Sequence, residues 1–326
     1  MFDINQDDQA IAQQLASFVP NRILDMHMHI YRLEDLALPA SSSLQNGPAV
    51  AGIAQAKEYY SRMLPSTKCL GGLAIGFPTS DGDKHAINSF VASEVSSDSM
   101  CKGSIIIDPT DEKSARDLAE ANPELIGLKP YHFFSGREVT WNADIDEYLP
   151  EWAWQLADER GMLITLHMVK DDAIADPANQ KTITSMCEKY PNAKLILAHA
   201  ARCFHAPNSK GLSSLAGLHN VWFDSSAICE IEPLLDILLN FGADKLLWGS
   251  DYPVCCTRGR AVTLGRDFIF LDQDSVRFDN LNTKCRPIVI GLESFRALSS
   301  ACKYAKLSES QIDDIFYGNA KRLLGI

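Results

Sequence analysis

Eight short apolar segments, rich in β-branched residues, recur along the 326-residue chain and narrow what it can fold into. They are RILDMHMHI from Arg22, CLGGLAIGF from Cys69, GSIIID from Gly103 and LIGLKPY from Leu125. The series continues with GMLITLHMV from Gly161, AKLILAHA from Ala193, NVWFDSS from Asn220 and KLLWGSD from Lys245. Between them lie longer stretches with helical spacing or composition, at 49–63, 83–95, 114–121, 144–160, 179–190 and 233–241, with a weaker one at 212–218. Short continuous apolar strands alternating with helices imply parallel pairing, with helices covering the sheet. Eight such units favour an α/β fold of the closed (β/α)8 TIM-barrel type over an open doubly wound sheet.

No linker rich in Pro, Gly or Ser separates two complete patterns, so 1–326 is expected as a single domain with an N-terminal helix over 6–18. The polar stretch 31–48 and the long stretch 252–286 read as inserts at the C-terminal mouth of the barrel, where lids sit. The tail is helical: Ser308 with Gln311 makes a capping box, and Gly318 is expected to stop that helix before Asn319 starts the next.

A hydrophobic fraction of 46% is ample for one large core, and a net charge of −12 without a basic run argues against a nucleic-acid partner. Small-molecule substrates are the expected partners. The acidic, helix-like N-terminus has neither the basic nor the apolar region of a signal peptide, and no uninterrupted apolar run reaches the roughly 18 residues of a membrane span. A soluble, cytoplasmic protein is expected. Nine cysteines, scattered without a C-x-x-C pair, read as reduced thiols rather than a disulfide or zinc-thiolate framework.

In a strand, Asp25, His27 and His29 share one face and Met26, Met28 and Ile30 the other. An isolated H-x-H pair is more simply a hydrogen-bonded core feature than a metal pincer. Here it is joined by Lys129 at the end of strand four, His167 after five, His199 after six and Asp251 after eight. Barrel strands converge at their C-terminal ends, so these distant residues can meet. Three imidazoles and a carboxylate suit Zn²⁺, leave a place for water and would bring the pKa of that water to around 7.

DMHMHI, LITLHMV, LILAHAAR and LLWGSDYP, with the ending LSESQIDDIFYGNAKRLLGI, resemble the strand-one, five, six and eight motifs and the tail of the amidohydrolase superfamily. The likeness is to its amidohydrolase-related branch of metal-dependent hydrolases and non-oxidative decarboxylases, and it runs from about Ile23 to Leu324. The resemblance implies His27, His29, His167 and Asp251 as ligands of one divalent metal, with His199 polarising the substrate carbonyl and Asp251 also shuttling the proton. In binuclear relatives a carboxylated lysine from strand four bridges two ions. Lys129 is read more simply, as a cation for a substrate carboxylate, a structural partner, or a lysine that snorkels to solvent. Barrels of this branch are often homodimers.

Arg202, on the loop after His199, is placed to hold an anionic substrate, with a solvent-facing arginine as the plainer reading. Tyr131, Trp141 and Trp222 are candidate pocket walls, and His132 and His205 are loop histidines whose default is the surface or a hydrogen bond. Asp25 is assigned to hydrogen bonding behind the ligands. Arg258, Arg260 and Arg266 are read as lid or solvated loop, and Cys255 and Cys256 lack a base to make either a nucleophile. The glycines of CLGGLAIGF do not form a dinucleotide fingerprint. The expected activity is hydrolysis of an amide, ester or lactone on a small carboxylate-bearing substrate. Decarboxylation of a small unsaturated or aromatic acid is the alternative, and a catalytically silent binding barrel stands third.

Overall fold

The computed structural model describes residues 3–40, 42–272 and 286–326, so positions 273–285 of the expected insert lie outside the described residues. Nine strands form one sheet: β1 (Arg22–Arg32), β2 (Val50–Ala51), β3 (Lys68–Gly76), β4 (Cys101–Ile107), β5 (Leu125–Pro130), β6 (Leu163–Leu166), β7 (Lys194–Leu197), β8 (Val221–Asp224) and β9 (Leu246–Leu247). Their order is β2-β1-β3-β4-β5-β6-β7-β8-β9. Every pairing is parallel except β1 with β2, where Tyr31 lies opposite Ala51. β1 thus runs two residues beyond the segment expected from the sequence, because its end gains an antiparallel partner in the following loop.

The sheet curls. After β9 the chain returns beside β1, where Met26 N–H donates to the Trp248 carbonyl at 3.1 Å, Asp251 N–H to the His27 carbonyl at 2.8 Å and His29 N–H to the Tyr252 carbonyl at 2.9 Å. These bonds bring the first and last candidate strands together at the level of the histidines.

Helices cover the sheet where the spacing expects them, and local chemistry explains their limits. Asp83 caps Lys84–Ser96, and Asp176 caps Pro177–Lys189, whose proline occupies the first turn. The stretch 144–160 divides at Pro150 into Ile145–Tyr148 and Glu151–Arg160, because proline lacks the N–H that would continue the first helix. The weak stretch at 212–218 falls mostly within the 3-10 segment Ala206–Leu215. The N-terminal helix spans Gln6–Leu15.

In the tail, Ser308 and Gln311 cap Glu309–Asp313 reciprocally, as expected. Gly318, by contrast, does not end the helix: the backbone passes through a π turn at Asp314–Gly318 into Asn319–Leu324, and the left-handed stop comes at Gly325. Space explains the glycine, since a Cβ there would stand 2.0 Å from Asp314 Oδ1, the oxygen that receives Arg322 at 3.0 Å. Tyr317, Leu323 and Leu324 of this tail pack on Leu24, Met26, Leu73, Ile75 and Leu247.

After β9 comes a two-stranded antiparallel hairpin, β10 (Gly259–Leu264) and β11 (Asp267–Asp272). All eight described cysteines are buried free thiols. Among the described residues no helix is long and apolar enough to cross a membrane.

Gly72 fixes the register of the β1–β3 pair. Its φ is +149°, and a Cβ would come 1.9 Å from the Asp25 carbonyl oxygen, so a side chain there must push β3 off the strand that carries the histidines. Gly72→Ala is expected to cost about 2–3 kcal/mol in urea denaturation, within the usual range for overpacking. An unchanged midpoint would show that this close approach is not tight.

Candidate active site

Because β1 and β3–β9 run the same way, their C-terminal ends share one rim. β1 brings His27 and His29 there, β5 brings Lys129, β8 ends in Asp224, and His167, His199 and Asp251 follow β6, β7 and β9. Several of these positions carry backbone conformations that non-glycine residues rarely adopt. His199, Ala200, Ala201 and Arg202 all have positive φ (56°, 49°, 60° and 57°), forming a left-handed turn, and Asp251 has φ 58°. Such residues cost roughly 1–2 kcal/mol each, so the turn persists only because surrounding contacts hold it. One of them is the His199 N–H, which donates to Asp224 Oδ1 at 2.9 Å.

Asp224, fully buried, divides its carboxylate between two histidines. Oδ2 stands 2.9 Å from His27 Nδ1. Oδ1 accepts from the His199 N–H, from Ser226 N–H at 3.1 Å and from Ser226 Oγ at 2.5 Å. His29 Nδ1 lies 3.2 Å from the Gly76 carbonyl and His199 Nδ1 lies 3.1 Å from the Ser226 carbonyl. Each of these acceptors takes a proton from Nδ1, which leaves the Nε2 lone pairs of His27, His29 and His199 facing inward.

Those inward atoms converge. His27 Nε2 is 3.2 Å from His29 Nε2, and Asp251 Oδ1 lies 3.7 and 3.5 Å from the two. Donor atoms of His27, His199 and Asp251 lie within 4.8 Å of one another, a group that could hold a metal ion. His167 Nδ1 stands 3.2 Å from His199 Nε2. Its Nε2 is buried without a hydrogen-bond partner among the described residues.

Burial sets the charge states. It holds His27, His29 and His167 well below the usual imidazole range, with neighbouring cationic groups adding to the effect, and lowers His199 to about 4. All four rings are therefore neutral at pH 7, the form in which imidazole ligates. Burial raises Asp251 to about 7, opposed by Lys129 and assisted by Asp224 and Asp25. Lys129 is fully buried with Nζ 3.4 Å from His27 Nε2, so it does not snorkel. Burial lowers it to about 8 against the pull of Asp224 and Asp251.

Above the cluster opens a pocket of about 310 Å³. His29, His167, His199 and Asp251 reach its floor, and aromatic rings make most of its wall, among them Phe77, Tyr131, Trp141, Phe204, Phe268 and Phe270. Lys129 does not line it and lies beneath. Arg202 does line it, its guanidinium over Trp141 and Phe268 and its Nη1 donating to the Lys170 carbonyl at 2.7 Å. No carboxylate pairs with Arg202 among the described residues, and burial lowers its pKa.

The other candidates fall on both sides of expectation. His132 is fully buried rather than at the surface, bonded to Thr140 Oγ1 and packed at a tilt among Tyr131, Trp141 and His167 behind the pocket wall. His205 bonds the Asp267 carbonyl. Trp222 sits away from the pocket, under Lys245. Arg258 and Arg260 are neither pocket wall nor free loop, since they pair with Asp8 and with Glu230 and Glu293. Of the two expected lids, the hairpin supplies Phe268 and Phe270, whereas no described residue of 31–48 lines the pocket. Cys255 and Cys256 are buried, and burial raises the Cys255 thiol well above its ordinary range.

Asp25 stands behind the ligand cluster, as expected. Its Oδ1 accepts from His27 N–H and Ser250 N–H, and its Oδ2 from Tyr60 Oη and Ser250 Oγ, each at 2.6 Å. Sequence reasoning missed Asp224, Ser226, Tyr60 and Ser250. The rule that found the histidines, a polar residue at a C-terminal strand end, applies equally to Asp224 in NVWFDSS. Tyr60 carries no such signal, because it arrives from a helix. Tyr60→Phe removes a hydrogen bond to a buried carboxylate and is expected to destabilise the fold by about 2 kcal/mol in denaturant titration. No loss would show that Ser250 alone satisfies Asp25.

Comparison with known proteins finds relatives in sequence and in fold. An L-fucono-1,5-lactonase of Burkholderia ambifaria is 25% identical over 139 residues, 37% of this chain and 47% of that protein, so the match spans about half of the relative's length. Amidohydrolase 2 from Bifidobacterium longum subsp. infantis has a similar structure, with a TM-score of 0.57 at 13% identity over 94% of this chain and 100% of the other. A 2,6-dihydroxybenzoate decarboxylase solved with 2,6-dihydroxybenzoate gives 0.55 at 13% identity, over 94% and 100% of the two chains. The amidohydrolase family profile matches residues 25–326, from the aspartate before the first histidine to the last residue, and the chain belongs to that family.

Proposed function

We propose that the chain is a metal-dependent hydrolase acting on an amide, ester or lactone carbonyl of a small, carboxylate-bearing substrate. The observation that carries this reading is the inward convergence of unprotonated imidazole nitrogens on Asp251. Two lone pairs 3.2 Å apart, on His27 and His29, repel unless a cation lies between them. Nitrogens bound to one tetrahedral zinc at roughly 2.0–2.1 Å stand roughly 3.3 Å apart, so the donor set fits a divalent ion, and Zn²⁺ suits its imidazole and carboxylate chemistry.

His27, His29, His167 and Asp251 would hold one ion, as the family resemblance implies, with the His199 Nε2 also within ligating reach of the group. When bound, such an ion supplies Lewis acidity toward a carbonyl oxygen and acidifies water. Asp251, whose Oδ1 lies 3.5 Å from His29 Nε2 at the pocket floor, is placed to take the proton of an attacking water and return it to the leaving oxygen or nitrogen. His199 has its Nδ1 proton committed to Ser226, so in its neutral form it accepts a hydrogen bond at Nε2 and polarises a carbonyl only after gaining a proton. Arg202 would receive the substrate carboxylate and Tyr131 would pack on the substrate body. Lys129 would act from below, placing positive charge near Asp224 and Asp251 rather than touching substrate. Carboxylation of Lys129 would call for a second ion, and one ion is expected.

The lactonase relative supports carbonyl hydrolysis. A second reading, non-oxidative decarboxylation of an unsaturated or aromatic acid, is favoured by the aromatic pocket wall. A panel pairing lactones, esters and amides with decarboxylatable acids separates the two: water addition without CO₂ release is expected, and CO₂ release would overturn hydrolysis. On the substrate so found, Asp251→Asn is expected to lower kcat at least a hundredfold, the scale of lost general acid–base catalysis, while changing KM little. Full turnover with metal bound would remove Asp251 from the mechanism.

A further inference from the structure

The N-terminal helix Gln6–Leu15 lies outside the family match, which begins at residue 25, yet it reaches the root of the pocket's hairpin. Asp8, in its first turn, is fully buried. Its Oδ2 accepts from Arg258 Nη2 at 2.6 Å and Asn5 N–H at 2.8 Å, and its Oδ1 accepts from Arg258 Nη1 at 3.1 Å and Val289 N–H at 3.1 Å. Arg258 also donates to the Asp3 carbonyl at 2.7 Å and pairs with Val289 as an antiparallel bridge. The next residue, Gly259, opens β10.

From that root the hairpin runs to the pocket. Ala261 and Thr263 of β10 pair with Phe270 and Phe268 of β11, so all four share the inward face. Phe268 stacks on Phe204 and Phe270 meets it edge-on, with ring centroids 4.9 and 5.4 Å apart. Thr263 Oγ1 accepts from Ala206 N–H at 2.9 Å, and the Asp267 carbonyl lies 3.0 Å from His205 Nδ1. Residues 204–206 directly follow the left-handed turn that carries His199 and Arg202. A two-stranded hairpin is marginal alone, so its position must come from its anchors. Arg260 donates to the Cys229 carbonyl at 2.8 Å and Thr263 N–H to Glu230 Oε1 at 3.1 Å, while the Arg260 ion pairs with Glu230 and Glu293, at 3.6 and 3.7 Å on a 41% exposed arginine, are long and screened. The Asp8–Arg258 pair is bidentate on a fully buried carboxylate, and a planar fork on a carboxylate fixes direction as well as distance.

We propose that the N-terminal helix braces the hairpin wall of the active-site pocket, with Asp8 and Arg258 as the positioning residues. The inference rests on the pocket being the catalytic site. Neither residue touches substrate, so loosening the brace weakens substrate binding at the Phe268–Phe270 wall and leaves the chemistry at Asp251 intact.

The test compares Asp8→Asn and the milder Arg258→Lys, which keeps charge but loses the fork, with Lys113→Gln at an exposed helical pair as control. Amide hydrogen exchange and kinetics are measured on the full chain. In Asp8→Asn, exchange over 259–272 is expected to rise at least tenfold while 101–107 stays at the parent rate, KM to rise at least fivefold, and kcat to stay within twofold. Arg258→Lys should shift the same quantities less, and it keeps the test open if Asp8→Asn does not fold. Parent exchange over 259–272 in both variants, or a fall in kcat with KM unchanged, would overturn the brace. If the parent itself neither binds metal nor turns over any panel member, the reading of the pocket fails instead, and the exchange arm still judges the brace.

Discussion

One buried carboxylate, that of Asp224, holds the site together. A single oxygen orients the ring of His27, while the other binds the backbone of His199 and both donors of Ser226. Through the first contact it fixes which nitrogen of His27 faces the cavity. Through the second it pins the start of a left-handed turn that four non-glycine residues would otherwise leave. The curled sheet brings β1 and β7 to one rim, and Asp224 turns the His27 lone pair inward, as the Gly76 and Ser226 carbonyls do for His29 and His199. Orientation of first ligands by such partners commonly governs metal affinity.

The same economy recurs one layer further out. Asp25 ties β1 to the segment after β9 through Ser250 and borrows Tyr60 from a covering helix. Gly72 lets β3 approach Asp25 closely enough for that strand to keep its register. Lys129 then supplies positive charge beneath the cluster, moderating the mutual repulsion of Asp224 and Asp251 in a dry environment. Strain at the rim and carboxylates below it are thus stabilised together.

Much of this was legible in the chain. Strand alternation and the placement of His27, His29, Lys129, His167, His199 and Asp251 at strand ends follow from periodicity, because parallel strands present their C-terminal ends to one rim. Asp224 obeys the same rule and was passed over, since a lone aspartate in a serine-rich turn resembles loop chemistry. The left-handed turn at Ala200 and Ala201 leaves no trace in sequence, as alanine has no preference for that conformation and only tertiary contacts impose it. Gly318 misled for the opposite reason: a glycine kept for space beside Asp314 reads like a helix stop. The 252–286 stretch was visible as an insert, but its hairpin and aromatic wall were not. The burial of Asp8 was hidden because its partner, Arg258, lies 250 residues away.

The central claim is that these neutral imidazoles and Asp251 exist to hold one divalent ion. Metal content of the purified chain, measured before and after His27→Ala with circular dichroism to verify the fold, tests it most directly. The account predicts close to one ion per chain, lost on substitution while the fold is retained. A folded His27→Ala protein with undiminished metal content, or a parent that takes up no divalent ion when supplied with zinc, would contradict it.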